Sequence, residues 1–280
     1  MGRGNGDMKK TLTTAGRVAA FVALWELCEM IVEWLGEHQS LIVDEAWRRL
    51  AEMTVLLILT FALNQLFYRS LDRDMPRDNW RRRAGRGLRF GLLWGTIWLA
   101  LTMGVMWAAG IISFGPLQQA GDLAVWLGAL LIDLVMEEAL LHGYLFELIE
   151  HRHGPWPAII VSTLLFVALH YVQFGYGMLY VANLLAMGIF SGLLHCLYAS
   201  LWAPTMAHYL WDAVGELMGC LALTGGYPHI LTAHFTGAAW LAGGPGLLEG
   251  SGYVLAIDML LAGAAWYLWH RRSTPVGGHH

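Results

Sequence analysis

Apolar residues run in long blocks along this chain, and charged residues are pushed into the gaps between them. An α-helix rises 1.5 Å per residue, so about 20 apolar residues are needed to cross the hydrocarbon layer of a bilayer. Blocks that reach or approach that length lie near residues 13–35, 50–68, 88–113, 121–148, 156–175, 177–198, 202–223 and 251–269. The pattern predicts an all-α fold: a polytopic membrane helical bundle of about eight transmembrane helices. No gap between blocks has room for a soluble domain, and no fixed-period repeat is visible. Residues 1–280 therefore read as one integral-membrane domain.

Composition sharpens this picture. Hydrophobic residues make up 57% of the chain and charged residues 14%, where a soluble domain carries about 25% charged residues. The 14 tryptophans suit rings placed at the lipid–water interfaces. One long basic stretch, RSLDRDMPRDNWRRRAGRGLR at residues 69–89, carries Arg69, Arg73, Arg77, Arg81, Arg82, Arg83, Arg86 and Arg89. With no domain around it, no nucleic-acid partner is expected; it reads instead as a cytoplasmic loop, because cytoplasmic loops are enriched in Lys and Arg. Alternation then puts Lys9, Lys10, Arg152, Arg271 and Arg272 on the same side, giving an N-in, C-in topology. The long 224–250 connection on the opposite side has no Lys or Arg, and only Arg48 and Arg49 break the rule.

The polar start MGRGNGDMKK and the absence of a small-residue cleavage site argue against a cleavable signal peptide. The excess of Arg over Lys hints at a GC-rich bacterial genome, and the expected location of such a chain is the bacterial cytoplasmic membrane. Cys28, Cys196 and Cys220 have no metal or disulfide spacing and read as small apolar packers. The terminal GGHH reads as a tag remnant or tail, not as a ligand set.

The chemistry concentrates in DLVMEEALLHGYLF, where Glu137 and Glu138 stand side by side in an apolar block. An ionisable group at the centre of a membrane helix costs roughly 2.5–3.5 kcal/mol on insertion scales. Neighbours on a helix point about 100° apart, so one partner cannot hide both. Other ionisable groups at membrane depth are Asp133 and His142 on the same block, His170 on the next, and His208, Asp212 and Glu216 on a later one. Residues four apart share a helix face, which groups Glu138 with His142, Asp133 with Glu137, and His208 with Asp212 and Glu216. A carboxylate with a raised pKa beside a His can deprotonate water at neutral pH, and a second His can donate to a developing oxyanion. Asn183 and His195 read as helix-packing groups, Glu216 as interfacial. Glu26, Glu29 and Glu33 form one polar face of the first block that lines a cavity or meets nearby arginines.

These residues resemble the motifs of a known family, the CPBP intramembrane proteases (the CAAX-protease and bacteriocin-processing group). The family pattern is EExxxR, then FxxxH, then HxxxN or HxxxD. Here the first is Glu137-Glu138-Ala-Leu-Leu-His142, the second Phe166-Val-Ala-Leu-His170, and the third His208-Tyr-Leu-Trp-Asp212 after SLWAPTMA. Gly188 and Gly192 fit the small-residue spacing of the intervening helix, and a similar GPGLLEGS precedes the last block. The resemblance covers approximately residues 121–223, the expected catalytic core.

It implies that Glu137 activates a water, that His170 shares or orients it, and that His208 with Asp212 stabilises the tetrahedral intermediate. Glu138 is then a supporting carboxylate held by His142, and Phe166 packs to fix His170. Two positions depart from the pattern. His142 replaces an Arg that would stay charged and bind in bidentate fashion, and Asp212, when ionised, orients His208 rather than donating to an oxyanion.

The implied activity is intramembrane endopeptidase action on a membrane-anchored protein or peptide within the lipid bilayer. No cofactor is expected; the alternative is a zinc-dependent version with Glu137, His170 and His208 as ligands. Two other classes remain compatible: a non-catalytic membrane scaffold or immunity factor that retains the fold, and a proton-coupled transporter. The drawn boundaries put His208 about 9 Å and His170 about 20 Å from the cytoplasmic edge. Meeting requires tilt, shifted boundaries, or a site that opens through a cytoplasm-facing cavity; irregular backbone near Ala203-Pro204 is tolerable only if buried in protein or lining water.

Overall fold

The computed structural model describes residues 2–73, 75, 83–223 and 226–273, without the side chains of 2–7 and 273. Arg77, Arg81 and Arg82 of the basic stretch and the GGHH tail lie outside the described residues. In chain order the elements are α1 (Gly2–His38), α2 (Glu45–Leu71), α3 (Ala84–Leu99), a π turn (Ala100–Gly104), α4 (Val105–Ala108), β1 (Ile112–Phe114), α5 (Leu123–His142), α6 (Tyr144–His153) and α7 (Pro155–Leu169). A 3-10 turn (Tyr171–Tyr176), α8 (Met178–Tyr198), α9 (Trp202–Leu217), β2 (Ala233–Phe235), α10 (Ala239–Ala242), a 3-10 segment (Gly244–Gly250) and α11 (Gly252–Ser273) follow. The fold is all-α apart from one short antiparallel ladder that pairs Ser113 with His234.

Among the described residues, four helical stretches are long and apolar enough to cross a membrane: Glu45–Leu71, Ala84–Ala108, Met178–Tyr198 and Gly244–Arg272. The other expected blocks differ for physical reasons. In α1 the 13–35 block carries Arg17, Glu26, Glu29 and Glu33, α7 and α9 have 15 and 16 residues, and α5 carries Asp133, Glu137 and Glu138 within 20 residues. The chain divides into two compact units, Met1–Asp78 with Asp122–Ser162, and Asn79–Gly121 with Thr163–His280.

In the first unit, α1, α2, α5 and α6 pack around aromatic rings. Phe21 and Phe67 meet edge to face at 5.1 Å, and Tyr144 lies 5.5 and 5.2 Å from them. Asp44 caps α2 by accepting from the Trp47 amide at 3.1 Å, which satisfies one of the otherwise orphaned amides of the first turn. The two arginines that break the charge rule are both neutralised by acids: Arg48 pairs with Glu52 at 3.1 Å and Arg49 with Asp133 at 2.9 Å. At the other end of α2, Asp72 takes Arg17, Arg152 and the Tyr144 hydroxyl, tying α1, α2 and α6 together.

The expected continuous helix over 121–148 is instead two helices that meet at Gly143. Asn64, on α2, causes the break. Its Oδ1 accepts from the Tyr144 amide at 2.6 Å, while its Nδ2 donates to Thr60 O at 2.8 Å. A Cβ at Gly143 would lie 2.4 Å from that Oδ1 and 2.2 Å from Ala139 O, so only glycine fits.

In the second unit α3 lies directly on α9 through Gly87, Gly91 and Gly95, spaced four apart on one face. A Cβ at Gly91 would stand 2.5 Å from Ala203 O, and one at Gly95 would stand 3.0 Å from Ala207 O. Small residues permit this backbone approach where no hydrophobic force drives membrane helices together. Pro204 falls in the first turn of α9, where its missing amide is no loss, so the helix runs through Ala203-Pro204. Trp98 stacks on Trp211 at 4.2 Å, and Phe190 of α8 meets Trp94 and Trp98 edge-on. Past Leu99 the helix widens into the π turn, where the Tyr253 hydroxyl of α11 donates to Leu101 O at 2.7 Å.

Asn183, expected to bond a neighbouring helix, instead clamps a loop. Its Nδ2 donates to Glu249 O at 2.7 Å and Ser251 O at 3.1 Å. Ser251 then caps α11, its Oγ accepting from the Tyr253 and Val254 amides.

Gly91→Ala forces overpacking at the α3–α9 contact, at a cost of about 1–3 kcal/mol. Its thermal midpoint in detergent is expected to fall below wild type. Gly85→Ala, on the same helix with nothing within 4 Å of the added carbon, is expected not to lower it.

Candidate active site

α5 sends its adjacent glutamates to different surroundings, as the 100° step requires. Glu138 is 1% exposed and its Oε2 accepts from His142 Nδ1 at 2.7 Å. Both side chains are sealed from solvent, and the His142 ring lies 5.3 Å from Phe146. A carboxylate so buried is tolerable only with a close, oriented donor. His142 supplies one because it stands one turn further on the same face and fits without the length of an arginine. Glu137 is half-buried, with its Oε1 away from solvent. Asp133, one turn before Glu137, turns to Arg49.

In the second unit, α7 ends at Leu169 and His170 opens the 3-10 turn with φ −93° and ψ 17°. Its Nδ1 lies 2.8 Å from Phe166 O. A carbonyl only accepts, so Nδ1 carries a proton, and in the neutral ring Nε2 holds the lone pair. The Phe166 ring lies 4.5 Å from the His170 ring and 5.8 Å, edge-on, from that of His208. One aromatic ring thus brings together two histidines that the sequence put at different depths. His208 Nε2 faces Asp212 Oδ2 at 3.5 Å, one turn on, with both side chains buried. Glu216 continues the stripe and is also buried.

Sequence reasoning missed Glu249. It is 4% exposed, and its Oε1 accepts from Trp211 Nε1 at 3.3 Å. The Tyr180 hydroxyl also donates to it, and its charge acts on Asp212 and His208. The available signal was the family-like GPGLLEGS segment, whose one acid it is; lying in a loop, it carried no helical periodicity.

Of the residues read from the sequence, the structure joins Glu138 to His142 in the first unit, where Glu137 also lies. In the second it joins His170, Phe166, His208 and Asp212. The alternative zinc set is divided between the units, Glu137 in one and His170 and His208 in the other. Within either unit no three His, Cys, Asp or Glu side chains of the described residues are placed to hold a metal ion. The first unit thus carries a buried carboxylate on α5, and the second carries an imidazole on His170 fixed through Nδ1 and an acid-paired imidazole on His208.

Removing His142 strips a sealed carboxylate of its donor, and breaking such a pair costs about 3–5 kcal/mol. His142→Leu is expected to lower the detergent unfolding midpoint strongly. Glu138→Leu with His142→Leu should lower it less than His142→Leu alone. Additive losses in the two single variants and the double would show that the pair is not coupled.

No curated protein and no solved structure matches the chain. With four helices long and apolar enough to cross a bilayer and the family match below, the chain is an integral membrane protein. The family described as type II CAAX prenyl endopeptidase, Rce1-like, matches over residues 119–214, the stretch that holds all three motifs, and it is the CAAX-protease family that those motifs resemble.

Proposed function

We propose that this chain is a CAAX-type intramembrane endopeptidase that cleaves a membrane-anchored protein or peptide near its membrane end, using a water activated by Glu137. The observation that carries this reading is the family match over residues 119–214, with a buried acid pair and two differently polarised histidines at the motif positions. In this reading the protein crosses a bacterial cytoplasmic membrane eight times, with both termini inside.

The Glu137 carboxylate removes a proton from water, and the resulting hydroxide attacks the scissile carbonyl carbon. The Nε2 lone pair of His170 accepts the water's other hydrogen and so orients it. The carbonyl π electrons move onto oxygen, and this oxyanion accepts a hydrogen bond from His208. As the intermediate collapses the C–N bond breaks, and the amine leaves with the proton held by Glu137. Asp212 holds the His208 ring, and Glu138 with His142 fixes the α5 turn on which Glu137 stands. No metal enters these steps.

Membrane proteins from cells carrying the wild type or Glu137→Gln are compared by mass spectrometry of new chain termini. At least one cut should be present with the wild type and reduced by about 100-fold or more with Glu137→Gln, the loss expected on removing a general base. Identical termini at equal protein levels would overturn the protease reading and favour a scaffold.

A further inference from the structure

The 3-10 turn Tyr171–Tyr176, which His170 opens, is built inside out. Tyr171 and Val172 are exposed, whereas the polar Gln173 is the buried side chain of the turn. An apolar outer surface suits lipid, and an amide turned away from it must find its partner within the protein. Gln173 Nε2 donates to Ala222 O at 3.0 Å, 49 residues further along the chain.

Both ends of that bond are fixed to residues of the site. On one side, the Gln173 backbone amide donates to His170 O at 3.0 Å, and the His170 amide donates to Val167 O at 3.1 Å. His170 itself, at φ −93° and ψ 17°, occupies the sparsely populated bridge region between helix and strand. On the other side, Ala222 follows directly on the cap of α9. Gly219 turns the chain there at φ 67°, with its amide on Glu216 O at 2.8 Å and the Cys220 amide on Gly215 O at 2.7 Å. The carbonyl that Gln173 holds is thus anchored to α9, which carries His208 and Asp212. The other link between the two histidines is the Phe166 ring. Apolar packing is largely non-directional. A hydrogen bond sets distance and direction together, because it weakens steeply as it bends.

We propose that Gln173 is a positioning residue for the protease reaction: its amide ties the turn that sets His170 to the helix that sets His208, so that water and oxyanion are held in one reactive geometry. The proposal rests on the protease reading above.

The test uses the full-length protein in detergent, with the substrate cut by the wild type and not by Glu137→Gln as the probe. Turnover and KM are taken per mole of monodisperse protein, with thermal midpoints measured alongside. Gln173→Met keeps the length of the side chain and loses the donor. A misplacement of about 1 Å costs about 100-fold in rate, so kcat should fall by about 10- to 100-fold at unchanged KM. Tyr253→Phe is the control. It also removes a side-chain hydrogen bond to a backbone carbonyl of the same unit, that of Leu101, and should keep the wild-type kcat whatever its midpoint. Gln173→Asn keeps the amide on a shorter arm and should fall between Met and wild type; it decides the matter if Gln173→Met is not monodisperse. A wild-type kcat in the deciding variant overturns the proposal, and so does a rise in KM alone. An equal loss of kcat in Tyr253→Phe also overturns it, as a general loosening of the fold. Each of these leaves the protease reading intact. Absence of any cut that depends on Glu137 overturns both.

Discussion

A carboxylate placed in an apolar interior must find its partner within the protein, because neither lipid nor bulk water will supply one. Much of the local architecture answers to that constraint. Arg49 serves Asp133, His142 serves Glu138, and Trp98 donates to Asp258 at 2.6 Å. Asp72 draws in two arginines and a tyrosine, and Tyr68 donates to Glu147. All of these contacts except Glu138–His142, which lies within α5, link elements distant in sequence, so satisfying the acids also fixes helix register and rotation. Polar groups in a membrane protein are thereby both the reactive inventory and much of the structural specification.

The helices that carry the motifs are positioned by backbone as much as by side chains. Gly87, Gly91 and Gly95 let α3 rest on α9 with almost nothing between them, which fixes the face of α9 that bears His208 and Asp212. Gly188 meets Thr163 in the same manner, bringing α8 against the end of α7 that leads to His170. On the α5 side, Asn64 stops the helix directly after His142, so the acid pair sits on a final turn rather than in mid-helix.

Much of this was legible in the sequence. Apolar blocks gave the helices, α8 almost to the residue, since Gly177 precedes it and no Asp, Glu, Lys or Arg interrupts it. Four-residue spacing paired Glu138 with His142 and His208 with Asp212. What could not be read depended on contacts between distant segments. The break at Gly143 is set by Asn64, and Arg48 and Arg49 looked misplaced until their acids were in view. The meeting of His170 with His208 depends on Phe166, whose ring reaches across from one turn before. Glu249 lies in a loop, where neither period 3.6 nor any cap marks a side chain that turns inward.

The π turn at Ala100–Gly104 has a consequence for how one rod can serve two neighbours. Geometrically it is an α-helix with one residue inserted, and each residue advances the helix by about 100°. The faces before and after it are therefore out of phase by that amount. The segment ahead of the turn can keep its glycines on α9 while the segment behind independently buries Met103 and Met106. The insertion acts as a clutch between two rotational settings, and the Leu101 carbonyl within it accepts from Tyr253. A sequence that lost one residue here would keep its apolar composition and its length to within 1.5 Å, yet could not satisfy both neighbours at once.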